Sequence, residues 1–178
     1  MKIIAISGHA GSGKDTIASI LAKKIEGRGE SAMVTHYADV LKYICRTYLG
    51  WDGKKDTEGR SLLQYVGTDI CRKKDINFFV NFMVSILGFF EDMWDYAILS
   101  DVRFQNEIDG LTSAGFDVFH LRVSRPGFDN SLTSGQKEHP SETALDSVRP
   151  DAVIINNKTT DELEQMCEKL IDLIGDQE

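Results

Sequence analysis

The chain has 178 residues, 42% hydrophobic and 27% charged, which fits one globular domain, residues 1–178, with a sizeable core. Its net charge of −8, without any run of Lys or Arg, argues against duplex nucleic acid as a partner, because that partner needs a basic face. A small nucleotide is not excluded, since a few local arginines can handle one or two phosphates.

In chain order, residues 2–7 form a short apolar run of strand type that begins at once, so no signal peptide is expected. Next comes Gly8-His9-Ala10-Gly11-Ser12-Gly13-Lys14-Asp15-Thr16, and then apolar residues at helical spacing to about residue 27. Strand, glycine loop and helix together read as a phosphate-binding loop. The glycines let backbone N–H groups turn inward, and the helix N-terminus adds partial positive charge. Lys14 is then placed to reach the β- and γ-phosphates of a nucleoside triphosphate. Asp15 stands where Ser or Thr usually holds Mg²⁺, and the hydroxyl comes one place later, at Thr16.

A second strand is expected over 31–37 and a helix over 39–49, capped by Asp39 and stopped by Gly50. After a charged loop over 51–57, a helix is expected over 58–71. Gly67-Thr68-Asp69 interrupts it, and a glycine inside a helix costs about 1 kcal/mol relative to Ala, so a packing or functional reason is expected. Arg60 and Arg72 are candidates to reach a second substrate, or else surface residues. Another helix spans 75–90; it is too short and too interrupted to cross a bilayer. The third strand, 96–100, runs into Ser100-Asp101-Val102-Arg103.

Ligands of open α/β sheets collect beyond the carboxyl ends of the strands. Asp101 is therefore a candidate to hold Mg²⁺ through water or to accept a proton, and Arg103 to grip a phosphate; the plainer reading is a surface ion pair. A helix over 104–114 and a fourth strand over 116–123 follow. Residues 124–140 carry Gly, Pro and charge with little periodicity and read as a mobile lid, with Arg125 preferred to Arg122 as its catalytic arginine. Ser141 is expected to cap a short helix to 148, the fifth strand is 152–156 and the last helix 160–174. His139, a loop residue on the plainer reading, and Glu142 are candidate site neighbours, and Asn156 is placed either for a base or ribose or for a turn. The three cysteines, Cys45, Cys71 and Cys167, are widely spaced and odd in number, which suggests reduced thiols in a cytoplasmic protein. Alternating strands and helices predict an α/β fold of three layers: a parallel five-stranded sheet with helices on both faces.

Several blocks together resemble the deoxynucleoside monophosphate kinases of tailed bacteriophages and some bacteria. They are Ser7-Gly8 with Ser12-Gly13-Lys14-Asp15-Thr16, Arg60 with Leu63-Gln64 and Gly67-Thr68-Asp69, Ser100 to Glu107, Arg125-Pro126-Gly127, His139 with Ser141-Glu142, and Ile154 to Asn157 with Glu162-Leu163. The resemblance implies a P-loop kinase fold with a helical substrate-binding part near 39–92 and a lid near 124–140. It implies phosphoryl transfer from ATP, with Mg²⁺, to a deoxynucleoside 5′-monophosphate in the (host) cytoplasm. It places Gly11, Gly13, Lys14, Asp15 and Thr16 on the ATP phosphates and metal, and Arg60, Thr68, Asp69, Arg72 and Arg103 near the monophosphate. Pairing with a second copy to make a homodimer stays open. Two other readings remain: another small-molecule kinase of phosphomevalonate or dephospho-coenzyme-A type, and a nucleotide-binding regulatory module without transfer activity.

Overall fold

The computed structural model describes residues 1–130 and 132–175; Ser131, inside the expected lid, and residues 176–178 lie outside the described residues. Five parallel strands, β1 (Lys2–Ser7), β2 (Ala32–Thr35), β3 (Tyr96–Val102), β4 (Asp117–Ser124) and β5 (Ala152–Ile155), form one sheet in the order β2-β3-β1-β4-β5. The helices are α1 (Lys14–Gly27), α2 (Ala38–Leu49), α3 (Thr57–Gln64), α4 (Phe78–Phe89), α5 (Gln105–Ser113), α6 (Ser134–Lys137), α7 (Pro140–Thr143) and α8 (Thr160–Gly175).

Strand alternation divides the core. Ile4 and Ile6 of β1 face α1 and α8, meeting Ile17, Leu21, Leu163 and Ile171. Ile3 and Ala5 face the other layer, meeting Leu41, Phe79, Met83 and Leu111. The expected three layers and parallel five-stranded sheet are therefore observed.

Three local differences bear on the site. The helix expected over 58–71 is α-helical only as far as Gln64 and continues as a π-helical stretch, Tyr65–Arg72. Gly67 lies there because α2 is close: a Cβ would stand 2.9 Å from Leu41 Cδ2. Second, Asp39 does not cap α2. The helix starts at Ala38, and the N–H groups of Tyr37 and Ala38 donate to the Asp101 carboxylate at 2.8 and 2.9 Å. Third, the segment read as aperiodic contains the short α6, and the helix expected from Ser141 to 148 runs only Pro140–Thr143, capped by the His139 ring instead of Ser141.

Candidate active site

The loop between β1 and α1 lies at the carboxyl end of the central strand, flanked by β3 and β4. Gly8 (φ 143°) approaches β4 so closely that a Cβ would collide with the Val123 carbonyl. Gly13 (φ 96°) turns the chain into α1 under the Asn156 amide. Asn156 Nδ2 donates to Ser12 O at 2.8 Å, so it braces the loop. Beneath the loop, buried Ser7 and His120 share a 2.8 Å hydrogen bond. Ser12 Oγ is the one buried side-chain polar atom without a partner among the described residues, a donor available to a ligand.

Lys14 is 8% exposed, and its Nζ donates to Gly8 O (2.7 Å) and His9 O (2.9 Å). Burial first, and the nearby Arg103 charge second, lower its pKa to about 8. Asp15 accepts from Ser100 Oγ at 2.6 Å. Its carboxyl is held well below the usual range, first by His36, whose Nε2 stands 3.7 Å from Oδ1, and then by Ser100, against the cost of burial. Asp15 raises the His36 pKa in return.

The register between β1 and β3 supplies this geometry. Ala5 pairs with Leu99 but Ser7 with Val102, so β3 carries one extra residue where Ser100 and Asp101 stand. Such a bulge re-aims side chains at the end of a strand. Here it sends Ser100 to Asp15 and Asp101 to the start of α2.

Two cavities open around the loop. One, of about 530 Å³, is lined by Gly8, Ala10, Ser12, Arg122, Arg125 and Phe128, among others. The other, of about 350 Å³, is lined by Lys14, Asp15, Asp101, Arg60, Thr68 and Arg72, with Leu41, Phe79 and Phe104 as apolar walls. They share Ala10, Arg103, Leu132, Ser141 and Glu142. At that shared wall Glu142 Oε2 accepts the Ala10 N–H at 2.9 Å, and Oε1 pairs with Arg103 Nη1 at 2.7 Å. A carboxylate thus holds a loop N–H and an arginine, the two kinds of donor a phosphate oxygen would take.

The structure therefore brings Gly8, Ala10, Gly11, Ser12, Lys14, Asp15, Asp101, Arg60, Thr68, Arg72, Arg103, Arg125 and Glu142 to the two cavities. Gly13 and Asn156 support the loop from behind. Thr16 is exposed on α1, Asp69 is exposed on the π-helical stretch, and His139 is engaged in capping α7; none of these three lines either cavity.

The sequence reading gave no site role to His36 or Phe128, nor to Gln64 and Glu107, which it named only within the blocks that carry the resemblance. Gln64 and Thr68 line the smaller cavity, and neither side chain has a hydrogen-bond partner among the described residues. The Phe128 ring lies where a Cβ on Gly11 would be, and Arg125 stacks on that ring at 4.3 Å.

The model of the deoxynucleotide monophosphate kinase family matches residues 33–167. The chain belongs to that family. The match begins after the phosphate loop, so loop geometry and family match are separate observations that agree. No curated protein matches the chain.

Among solved structures, the chain is similar to a sugar kinase from Janibacter sp. HTCC2649, at 15% identity and TM-score 0.58, over 97% of this chain and 95% of that one. It is also similar to the Mycobacterium tuberculosis APS kinase in complex with AMPPNP and APS, at 14% identity and TM-score 0.54, over 98% and 97%. Shikimate kinase from Bacteroides thetaiotaomicron matches at 10% identity and TM-score 0.52, over 98% of each chain. At these identities the likeness shows a shared kinase fold. Among the described residues no helix is long and apolar enough to cross a membrane.

Proposed function

We propose that the protein transfers the γ-phosphoryl group of ATP to a deoxynucleoside 5′-monophosphate, giving the diphosphate and ADP. The observation that carries this reading is the shared wall. A phosphate loop and an arginine meet there between two cavities, each large enough for a small ligand. Family membership supports the nucleotide acceptor over another small-molecule acceptor or a regulatory module.

In this reading the donor triphosphate occupies the loop, held by its N–H groups, Ser12 Oγ and Lys14. Arg125 and Phe128, on the segment 124–140, cover it as a lid. The monophosphate occupies the smaller cavity, with its phosphate toward Arg72 and Arg103 and its base toward Gln64 and Thr68. Asp15 and Asp101 suit Mg²⁺, which takes oxygen ligands and keeps several waters. Asp15 offers a carboxylate fixed by Ser100, and Asp101, whose oxygens already hold two backbone N–H groups, would act through water. Bound there, the ion would neutralise charge on the donor phosphates.

The acceptor is ionised at neutral pH, since its second pKa is about 6, so transfer needs no strong general base. What the chain supplies is position and charge. Arg103 leaves Glu142 for the acceptor phosphate, and Lys14, largely protonated at pH 7, faces the migrating group.

The decisive experiment is a coupled assay with ATP, Mg²⁺ and a panel of deoxy- and ribonucleoside monophosphates. Turnover of at least one deoxynucleoside monophosphate is expected. Turnover of a non-nucleotide acceptor alone would reject the reading.

A further inference from the structure

Glu107 is the most buried carboxylate among the described residues, 1% exposed. Its position in the sequence marks it as the third residue of α5, where a glutamate commonly reaches back to the helix start. One oxygen does this: Oε2 accepts the N–H groups of Arg103 (2.7 Å) and Phe104 (3.1 Å). That task needs neither the burial nor the second oxygen. Oε1 takes Arg72 Nη2 at 2.5 Å, an ion pair to the π-helical stretch 35 residues earlier. The Arg72 guanidinium is also stacked over Phe79 at 4.5 Å and over Phe104 at 4.3 Å, and Nη1 donates to Gly67 O at 3.3 Å. Two aromatic rings, one carboxylate and one carbonyl therefore hold its plane. Three of its five N–H donors have no partner among the described residues, and Arg72 lines the smaller cavity.

A planar, fixed guanidinium with free donors is a receptor for an oxyanion. The same carboxylate anchors the backbone from which the Arg103 side chain departs. We propose that Glu107 is a positioning residue for the acceptor phosphate. It sets Arg72 and the Arg103 backbone at one separation, so that both arginines meet the same anion. Burial raises the Glu107 pKa against the pull of Arg72, a cost that a mere helix cap at the surface would not carry.

This inference rests on the acceptor site assigned above. Its test is a double-mutant cycle on the full chain, with Glu107→Gln, Arg72→Met and the double variant, reading KM for ATP and for the acceptor separately. Glu107→Gln is expected to raise the acceptor KM tenfold or more and to leave the ATP KM within twofold. In the Arg72→Met background the same change is expected to add less than twofold, because the glutamine keeps one oxygen for the Arg103 and Phe104 N–H groups and loses only the anionic partner of Arg72. Independent, additive losses, or equal losses for both substrates, would overturn the proposal.

Arg72→Lys keeps Glu107 intact and answers the same question if Glu107→Gln fails to fold. A raised acceptor KM with an unchanged ATP KM supports the clamp, and an unchanged acceptor KM overturns it. Inorganic phosphate, titrated calorimetrically with ADP present to fill the loop, separates this claim from the choice of substrate. Binding to the parent at least tenfold tighter than to Glu107→Gln supports the clamp even if no nucleoside monophosphate is turned over. Equal binding overturns it.

Discussion

Lys14 shows what a functional residue costs at the scale of one side chain. Burial holds its pKa near 8 instead of 10.5, a shift worth about 3 kcal/mol against folding while the amine is charged. The folded chain binds this proton less tightly than the unfolded chain. Below pH 8 both states carry the charge, and the penalty is complete. Between pH 8 and 10.5 only the folded state sheds the proton, so the penalty fades as pH rises. Lys14→Met should therefore melt no lower than the parent at pH 7, with its advantage shrinking from pH 8 to 10, while kcat falls by about 10³-fold or more. Melting curves across that pH range, beside the coupled assay, check both halves; a variant that gains relative stability as pH rises would contradict the sign.

Glu142 poses the complementary case. An incoming donor phosphate must take the Ala10 N–H from it, and the acceptor phosphate must take Arg103. Removing a charge-assisted competitor of this kind should tighten ATP binding by about tenfold in Glu142→Ala. Calorimetric titration with ATP measures this, and weaker binding would mean that Glu142 assists the donor instead of competing with it.

At the scale of elements, packing decides what a glycine does. Gly88 is exposed within α4, and a Cβ there meets nothing within 4 Å. Gly88→Ala should raise stability by about 0.5–1 kcal/mol, the helix-propensity difference. Gly110 in α5 lies under Val80, whose methyl a Cβ would strike. Gly110→Ala should lower stability by about 1–3 kcal/mol despite the same propensity gain. Denaturant unfolding of both variants tests the pair, and equal shifts would show that the α4–α5 contact is loose.

The same distinction explains what could be read from the sequence. The unit β1–loop–α1 was legible because its periodicities and glycines are local. The five strands were legible because apolar runs alternate with helical spacing. The π-helical stretch was not, since its altered spacing leaves no signal in residue type, and the reason for Gly67 is Leu41, on another helix. Glu107 stands in the sequence only as the end of the block Ser100 to Glu107, and the fold alone supplies its partner Arg72. Asp101 reads as a metal or proton-accepting carboxylate at a strand end, or as half of a surface ion pair; the two backbone N–H groups that α2 brings onto it come only with the fold. His36 becomes a neighbour of Asp15 only across the bulged end of β3.

The whole molecule is arranged as two chambers meeting at one partition. Its members, Ala10, Arg103, Leu132, Ser141 and Glu142, come from the loop, the end of β3, the segment after β4 and α7. That segment is tied to both sides. Asn130 Nδ2 donates to Ala10 O at 3.2 Å, and buried Gln136 donates to Thr57 O and Ser61 Oγ on α3. Filling either chamber therefore acts on a contact of the other. A ligand spanning both should gain from paying the entropy of association once. Adenosine joined through five phosphates to a deoxynucleoside has the required shape. It is expected to bind about 100-fold tighter than ATP or the monophosphate alone and to compete with both in steady-state kinetics. Arg103→Ala, which removes a side chain from the partition, should reduce its affinity toward that of ATP. Competition with ATP alone would mean that the chambers do not open onto one another, and the transfer path drawn through Glu142 and Arg103 would have to be abandoned.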